Sequence, residues 1–406
     1  MEPQTGNDHG MASSPTHTSS ALAPADRDQP DVGRRLVQEV LEPMKRTFIA
    51  KDEIIDLMGV ALTAGENLFL LGPPGTAKSA LVHELSSRLH GRAFTYLLTR
   101  FTEPNELFGP FDIRRLRDGD LVTNTEGMMP EASFVFLDEL LNANSAILNS
   151  LLMALNERIF RRGREQRDLP TIAFFGASNR LPEDDALGAL FDRFLLRVVC
   201  ENVPSDRLEE VMRAGWDLDR REGLAETPLD IEDVRKLNSE LGQVDLTEVR
   251  PRLKDLIARL RHAGIAVSDR RAVKLQRLVA ASALLSGRRH GLVSDFWTLR
   301  HVWDTLEQRE VLASLVADAV KQTSPDLKDH PRSRAGDAPD PEELARNLED
   351  LDEKLSAPDV SKEDRAALCD RLSLLAGRVQ WVMNSDQRTF LAQKVESLWP
   401  VAGGRH

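Results

Sequence analysis

The sequence predicts an α/β fold: a parallel sheet between helices, followed by an all-α segment and a helical C-terminal extension. Three observations predict it. From about 50 to 200, short apolar runs alternate with stretches of helical periodicity. That is the pattern of strands buried on both faces and joined by helices. From about 205 to 320 the periodicity is helical throughout. Beyond a polar, proline-containing stretch, leucines recur at heptad spacing.

The elements follow in order. Residues 1–32 are rich in Ser, Thr, Pro, Asp and Gly and poor in large apolar side chains. Such a segment buries too little surface to offset the entropy of ordering, so a disordered tail is expected. Structure is expected to begin near Arg34, with Leu36, Val37, Val40 and Leu41 on a helix that Pro43 interrupts. Asn67 to Leu71 reads as a buried strand ending at Gly72, and Ser79 to His90 as the helix after it. Phe134 to Leu137 is a second strand. Ile147 to Leu155 is helical, with Leu148, Leu151, Leu152 and Leu155 on one face. Thr171 to Phe175 is a third strand ending at Gly176, and Phe194 to Val199 a fourth. These divide the chain into a tail (1–32), an α/β domain (33–204), an all-α lid (205–322), a linker (323–340) and a helical extension (341–406). In the last, Leu344, Leu348, Leu351 and Leu355, then Leu368, Leu372, Leu375, Val379 and Val382, suggest an αα-hairpin turning near Pro358.

Composition narrows the class. Of 406 residues, 41% are hydrophobic and 29% charged, the balance of a soluble globular protein. No run of eighteen apolar residues offers a membrane span, and the polar N-terminus has no apolar signal core. Cys200 and Cys369 are far apart and lack metal-ligand spacing, which makes a reducing cytoplasm the simplest setting. A net charge of −12 disfavours whole-surface nucleic-acid binding while leaving a local basic pore open.

The chemistry concentrates in Gly72-Pro73-Pro74-Gly75-Thr76-Ala77-Lys78-Ser79, between a strand and a helix. This is a phosphate-binding P-loop in the context the motif requires. Its backbone N–H groups and the helix N-terminus attract phosphate oxygens. Lys78 is expected to reach the β- and γ-phosphates and Ser79 to ligate Mg²⁺. Ala77 stands where a Gly usually precedes the Lys, which is tolerable if that residue is already helical. Asp138 and Glu139 close a buried strand beside the ligand crevice. Asp138 is expected to hold Mg²⁺ through water and Glu139 to activate the attacking water. Asn179 follows the third strand and is either a γ-phosphate contact or an ordinary turn residue. Arg193 is either an arginine finger for a neighbouring subunit or a surface partner of Asp192, and Arg197 is a second candidate for either role. Ser268 reads as an N-cap. Arg270, in the first turn behind it, runs against the helix dipole, and is either a phosphate ligand or a solvated surface arginine.

GPPGTAKS, FTEPNELFGPFDI, FVFLDEL, LLMALNERIF, GASNRLPEDD and DRFLLR, in this order and spacing, resemble the MoxR family of AAA+ ATPases. Residues 268–271 and 295–303 resemble the lid of its RavA branch. The likeness covers about 34 to 310. It implies an ATP-hydrolysing ring, commonly a hexamer, with Asn179 as sensor 1, Arg193 as arginine finger and Arg270 as sensor 2. Nucleotide contacts are then expected from residues 72–79 and Ala80, with Ile49 near the base. Phe48-Ile49-Ala50-Lys51 replaces the usual Val-Gly-Arg type segment there. The resemblance implies work on a protein partner, often one with a von Willebrand A domain, in chaperone-like maturation. A nucleic-acid motor is the alternative. It is carried by Arg114, Arg115 and Arg117 in one inserted hairpin and by Arg158, Arg161, Arg162, Arg164 and Arg167 in another. The competing reading pairs these arginines with Glu157, Glu165, Asp118 and Asp120.

Overall fold

The computed structural model describes residues 32–117, 121–162, 165–182, 184–220, 229–323, 329–334, 341–355, 362–379, 382 and 385–402. The expected N-terminal tail, Asp118, Asp120, Arg164 and the turn at Pro358 lie outside these. Five strands form one parallel sheet: β1 (Leu68–Leu71), β2 (Ala93–Leu97), β3 (Phe134–Asp138), β4 (Ala173–Ser178) and β5 (Leu196–Val199). Their order is β2-β3-β4-β1-β5. Helices α1 (Asp52–Ala64), α2 (Lys78–Ser87), α3 (Ser145–Glu157) and α4 (Asp185–Phe191) connect and cover the strands. All four residues of β1 are buried, as a central strand between two helical layers requires. Phe69 packs edge-on against Phe191 at 5.0 Å and Phe194 at 5.6 Å. Because β1 lies between β4 and β5, the chain reverses its direction across the sheet there. The carboxyl ends of β1, β3 and β4 border the resulting crevice.

Several local expectations change. The first helix starts at Val32 and runs through Pro43 to Thr47. Leu36–Leu41 is wound as a π-helix, and Pro43 then falls in the first turn of Glu42–Thr47, where its missing N–H costs nothing. Helix α2 stops at Ser87, and Leu89–His90 is extended, pairing with Leu229–Asp230 at the entrance to the helical region. Strand β4 continues past Gly176 to Ser178, and β5 begins at Leu196. Strand β2 was not expected at all. It is an edge strand with only Phe94 fully buried, so it lacks the apolar run that marks the others.

The helical region comprises α5 (Leu208–Asp219), α6 (Ile231–Glu240), α7 (Arg250–His262), α8 (Asp269–Leu285) and α9 (Gln308–Lys321). A 3-10 segment, Val293–His301, precedes α9. Helix α8 packs along α1, and the buried core runs without a break from the sheet into these helices. Asp295 is fully buried, yet its carboxylate accepts from Arg288 at 2.7 and 2.8 Å and from Ser282 at 2.7 Å. A buried charge is tolerable only when paired and hydrogen-bonded in this way.

Part of the expected linker docks onto the body. Arg332 is buried against Asp56 of α1, its carbonyl accepts from Arg300 at 2.8 Å, and His330 stacks on Trp297 at 4.8 Å. Among the described residues the C-terminal extension holds three helices rather than a hairpin of two: α10 (Pro341–Leu355), α11 (Lys362–Val379) and α12 (Ser385–Ala402). The heptad residues Leu344, Leu348, Leu351 and Leu355 meet Leu372, Leu375 and Val379 in a separate core. Helix α12 completes it with Leu391, Val395 and Leu398, a shorter pattern that the heptad reading passed over.

The His330 contact sets a pH dependence. His330 is half-buried, and packing against Trp297 desolvates its ring. That pushes its pKa down to about 3, with Asp56 and Asp295 opposing and Arg288 and Arg332 assisting. The unfolded chain therefore binds a proton between about pH 6.5 and 3 that the folded chain does not. The stabilisation is complete above pH 6.5 and is lost as the pH falls. Urea unfolding of the wild type should weaken faster than that of His330→Gln between pH 6 and 4. The difference in slope should approach about 1.4 kcal/mol per pH unit. Parallel slopes would show that His330 protonates freely in the folded chain.

Candidate nucleotide site

The loop from Gly72 to Ala77 joins β1 to α2. Gly72 is required by close approach: a Cβ there would stand 2.2 Å from the Cys200 carbonyl oxygen. Gly75 has φ +83°, a conformation that side chains disfavour. Ala77 also lies in the left-handed region, at φ 65° and ψ 20°. It is the N-cap of α2 and not part of the helix, which overturns the reason for tolerating an Ala there. The usual glycine would hold this conformation freely, whereas Ala holds it under strain. Lys78 folds its ammonium back over the loop, donating to the carbonyls of Gly72 at 2.7 Å and Pro73 at 2.9 Å. Thr76 donates to Pro73 O at 2.9 Å. Pro73, Pro74 and Gly75 are exposed at the crest, and Ala80 is exposed in the first turn of α2.

Across the crevice, the Ser79 hydroxyl donates to Asp138 Oδ2 at 2.7 Å. The other Asp138 oxygen accepts from the Glu139 N–H at 2.9 Å. Glu139 has φ 50°, a kink at the strand end that turns the chain from β3 into the 3-10 segment Leu140–Asn142. Burial raises the Glu139 pKa and the Asp138 charge adds to this, while Lys78 and Arg180 oppose. A carboxylate with raised proton affinity suits a general base. Asn179 is the first residue after β4 and is exposed. It sits beside the loop because the Gly72 N–H donates to Ser178 O at 3.0 Å. Ile49 belongs to a turn that ends at Lys51, whose buried ammonium donates to Glu201 O. That bond fixes the turn beside Cys200, and Cys200 touches Gly72.

Arg193 and Arg270 are placed elsewhere. With Asn156, Ser268, Arg271, Lys274 and Asp304 they line a cleft of about 300 Å³. Arg270 Nη2 donates to Asn156 Oδ1 at 2.7 Å, and Ser268 caps α8 by accepting from Arg271 N. The register decides the location. Leu68 pairs with Leu196 and Leu71 with Val199, so Arg193 precedes β5 at the end where β1 begins. Asn67 Nδ2 donates to Arg193 O at 2.8 Å. From Asn67 to Gly72 the extended chain covers roughly 16 Å at about 3.3 Å per residue. The loop and the two arginines therefore occupy opposite ends of the sheet. Arg193 makes no ion pair among the described residues, and its Nε is shielded from solvent without an acceptor. Asp192 approaches Arg197 instead, at 3.6 Å. Arg197 is 1% exposed, bonded to Trp303 O and Asp304 and stacked over Phe191 at 4.2 Å, which removes it as a finger.

Residues 34–239 match the family described as the MoxR domain in the MoxR-vWA-beta-propeller ternary systems, and residues 244–316 match an AAA lid domain. The chain belongs to the MoxR family of AAA+ ATPases. An uncharacterized protein of Methanocaldococcus jannaschii is 35% identical over 296 residues, covering 72% of this chain and 77% of that one. Chaperone MoxR1 of Mycobacterium tuberculosis is 26% identical over 207 residues, 48% of this chain and 54% of its own. The crystal structure of a candidate ATPase from Cytophaga hutchinsonii superposes with a TM-score of 0.59 at 17% identity, over 72% of this chain and 95% of that one, and so shares the fold.

Sequence reasoning about this MoxR chain missed Asn156, Lys51 and Arg180. Asn156 and Arg180 lie inside the quoted motifs, but only the fold shows what they approach. Among the second arginine group, Arg158 is held by Asn67 Oδ1 at 2.7 Å and lies over Phe174, and burial pushes its pKa down to about 10. Arg162 donates to Gly109 O and Asn105 and stacks on Phe111 at 4.0 Å, and Arg167 lies over Phe160. The hydrogen-bond partners of Arg158 and Arg162 are carbonyls and amides, and of the acids in the competing reading Glu165 acts on Arg162 through its charge, while Asp118 and Asp120 lie outside the described residues. Arg114, Arg115 and Arg117 are exposed.

The strain at Ala77 is testable. Ala77→Gly should relieve about 1 kcal/mol of left-handed strain, in part offset by the greater freedom of glycine when unfolded. Urea unfolding should show the variant equally stable or more stable. A loss above about 0.5 kcal/mol would contradict the left-handed assignment, because glycine in an ordinary helical position destabilises.

Proposed function

We propose that this chain hydrolyses ATP in a homo-oligomeric ring, a hexamer, and uses the work to remodel or mature a protein partner. The observation that carries this reading is the separation of Arg193 and Arg270 from Lys78. One chain holds the phosphate loop at one end of its sheet and a pair of arginines at the other. A head-to-tail neighbour unites them, and a head-to-tail contact repeated by rotation closes a ring.

In that site Lys78 leaves its two carbonyls for the β- and γ-phosphates. Ser79 and Asp138 already converge at 2.7 Å as the hydroxyl and carboxylate oxygens a hard cation favours. They would hold Mg²⁺, which supplies charge neutralisation on the phosphates. Glu139 takes a proton from the attacking water, and Asn179 orients that water or the γ-phosphate. Residues 72–80 wrap the phosphates, with Ile49 beside the base. Arg193 and Arg270 of the neighbour meet the charge that grows on the leaving phosphate.

The protein-partner reading is supported by the family, by the chaperone description of one relative and by the net charge of −12. A protein with a von Willebrand A domain is the proposed partner, in a cytoplasmic setting. Among the described residues no helix is long and apolar enough to cross a membrane. The exposed Arg114, Arg115 and Arg117 favour nucleic acid as a second reading.

Lys78→Ala should abolish ATP binding, and Arg193→Ala should bind ATP but lose roughly 10³-fold in turnover. Mixing the two should restore measurable turnover, because the Lys78 of one chain then faces the Arg193 of the other. Two inactive proteins that stay inactive when mixed would refute the shared site. Glu139→Gln should bind ATP and slow turnover by about 10²-fold or more. Captured with ATP from host extract, it should retain a protein after nuclease treatment. Partners lost on nuclease treatment would favour the nucleic-acid reading.

A further inference from the structure

Helix α5 carries an apolar stripe that is largely open to solvent, with only the Arg220 guanidinium over the Trp216 ring at 5.5 Å. Leu208, Met212 and Trp216 recur every four residues on one face and are 50%, 68% and 63% exposed. Val211 and Gly215 extend the same face. Of the other tryptophans with described side chains, Trp297 and Trp303 are buried and Trp399 is partly buried against the C-terminal core. A cluster of this kind on a surface marks a contact site, and Trp is enriched at the centre of interfaces.

Its place in the fold identifies the occupant. Strand β5 ends at Val199, beside Leu71 and the start of the phosphate loop. Cys200 N donates to Leu71 O at 2.7 Å, and the chain reaches α5 eight residues later. Helix α5 packs on Glu42–Thr47, the helix that leads into the turn holding Ile49 and Lys51. The stripe is therefore on the phosphate-loop end of the molecule. The arginine cleft lies at the other end. The two ends also differ in charge. Residues 207–220 hold four acids (Glu209, Glu210, Asp217 and Asp219) against three arginines (Arg207, Arg213 and Arg220), and Glu209 and Glu210 are paired with Arg213 and Arg207 within the chain. The cleft presents Arg193, Arg270, Arg271 and Lys274, of which Lys274 and Arg271 are paired within the chain.

We infer that the Leu208–Met212–Trp216 face of α5 is an apolar centre of the contact between two copies of this chain, the contact that brings Arg193 and Arg270 to the neighbour's phosphate loop. The inference rests on the shared-site reading and adds the surface that holds the two copies together. Charged side chains alone give a contact steering and register. A contact between two solvent-exposed faces also needs a desolvated centre, and aromatic anchors supply it. The stripe places such a centre beside the nucleotide, where assembly and ATP binding are read by the same surface.

The test compares Glu139→Gln protein with the same protein carrying Trp216→Glu, Met212→Glu or Trp216→Phe. Each is followed by sedimentation over a range of protein concentrations with ATP. Trp216→Glu and Met212→Glu should each raise the concentration needed for assembly at least tenfold, and Trp216→Phe should leave it near the parent value. Because both side chains are largely exposed, thermal unfolding and the affinity of the dilute, unassembled protein for a fluorescent ATP analogue should match the parent. Normal assembly of both glutamate variants would overturn the inference while leaving the ring intact. A Glu139→Gln parent that never assembles with ATP would instead overturn the shared site itself.

Discussion

The buried guanidinium of Arg197 is the constraint on which the rest of the arrangement depends. It sits on β5 of the sheet and bonds to Trp303 O and Asp304 beyond the helical region's 3-10 segment, with a further bond to Phe191 O. Asp304 in turn accepts from Arg271 at 2.9 Å. Arg271 belongs to the first turn of α8, next to Arg270. One buried cation thus fixes the start of α8 against the strand that follows Arg193. A buried charge stripped of one partner is strongly destabilising, so the lid cannot rotate away from the sheet without loss. The two catalytic candidates from distant parts of the sequence are held in one cleft as a consequence.

The separation of the sheet's two ends has a simple origin. In a parallel sheet every strand points its carboxyl end the same way, so loops that follow strands gather at one end and loops that precede them at the other. Residues 72–79, 139 and 179 follow strands, and Asp138 ends one. Arg193 precedes one, and the helical region docks at its end, where Lys274 pairs with Glu66 at 2.6 Å and Arg277 with Ala64 O. The proposed division of the site between chains follows from this parity and not from any special feature of the loops.

How much of this was legible in the residues depends on the kind of signal. Buried strands such as β1 and β3 are continuous apolar runs, and the phosphate loop has a motif fixed by backbone geometry, so both could be read directly. Strand β2 could not, because an edge strand with one face open needs only one buried side chain. Pro43 misled because a π-helical turn ahead of it shifts the proline into a first turn, and nothing in the local composition announces a π-turn. The left-handed Ala77 and the burial of Arg197 depend on long-range packing. So does the capture of Arg158 and Arg162 by carbonyls 93 and 53 residues away in the chain. Acid–base interleaving along the sequence pointed to ion pairs there. The fold brought other acceptors closer.

Helix α3 shows what such packing entails. Its N-cap, Asn144, follows the Leu140–Asn142 segment next to Glu139, and its amide grips Arg100 O and Thr102 O at 3.1 and 2.8 Å. Its last turn holds Asn156, the partner of Arg270. Thirteen helical residues make a rod of roughly 20 Å, buried along Ile147, Leu151, Ala154 and Leu155. A close-packed helix moves as a body rather than bending. The end that flanks Glu139, the proposed base, and the end that steadies Arg270, the arginine proposed to reach the next chain, are therefore parts of one rigid strut, so adjacent sites of the proposed ring are mechanically connected in series.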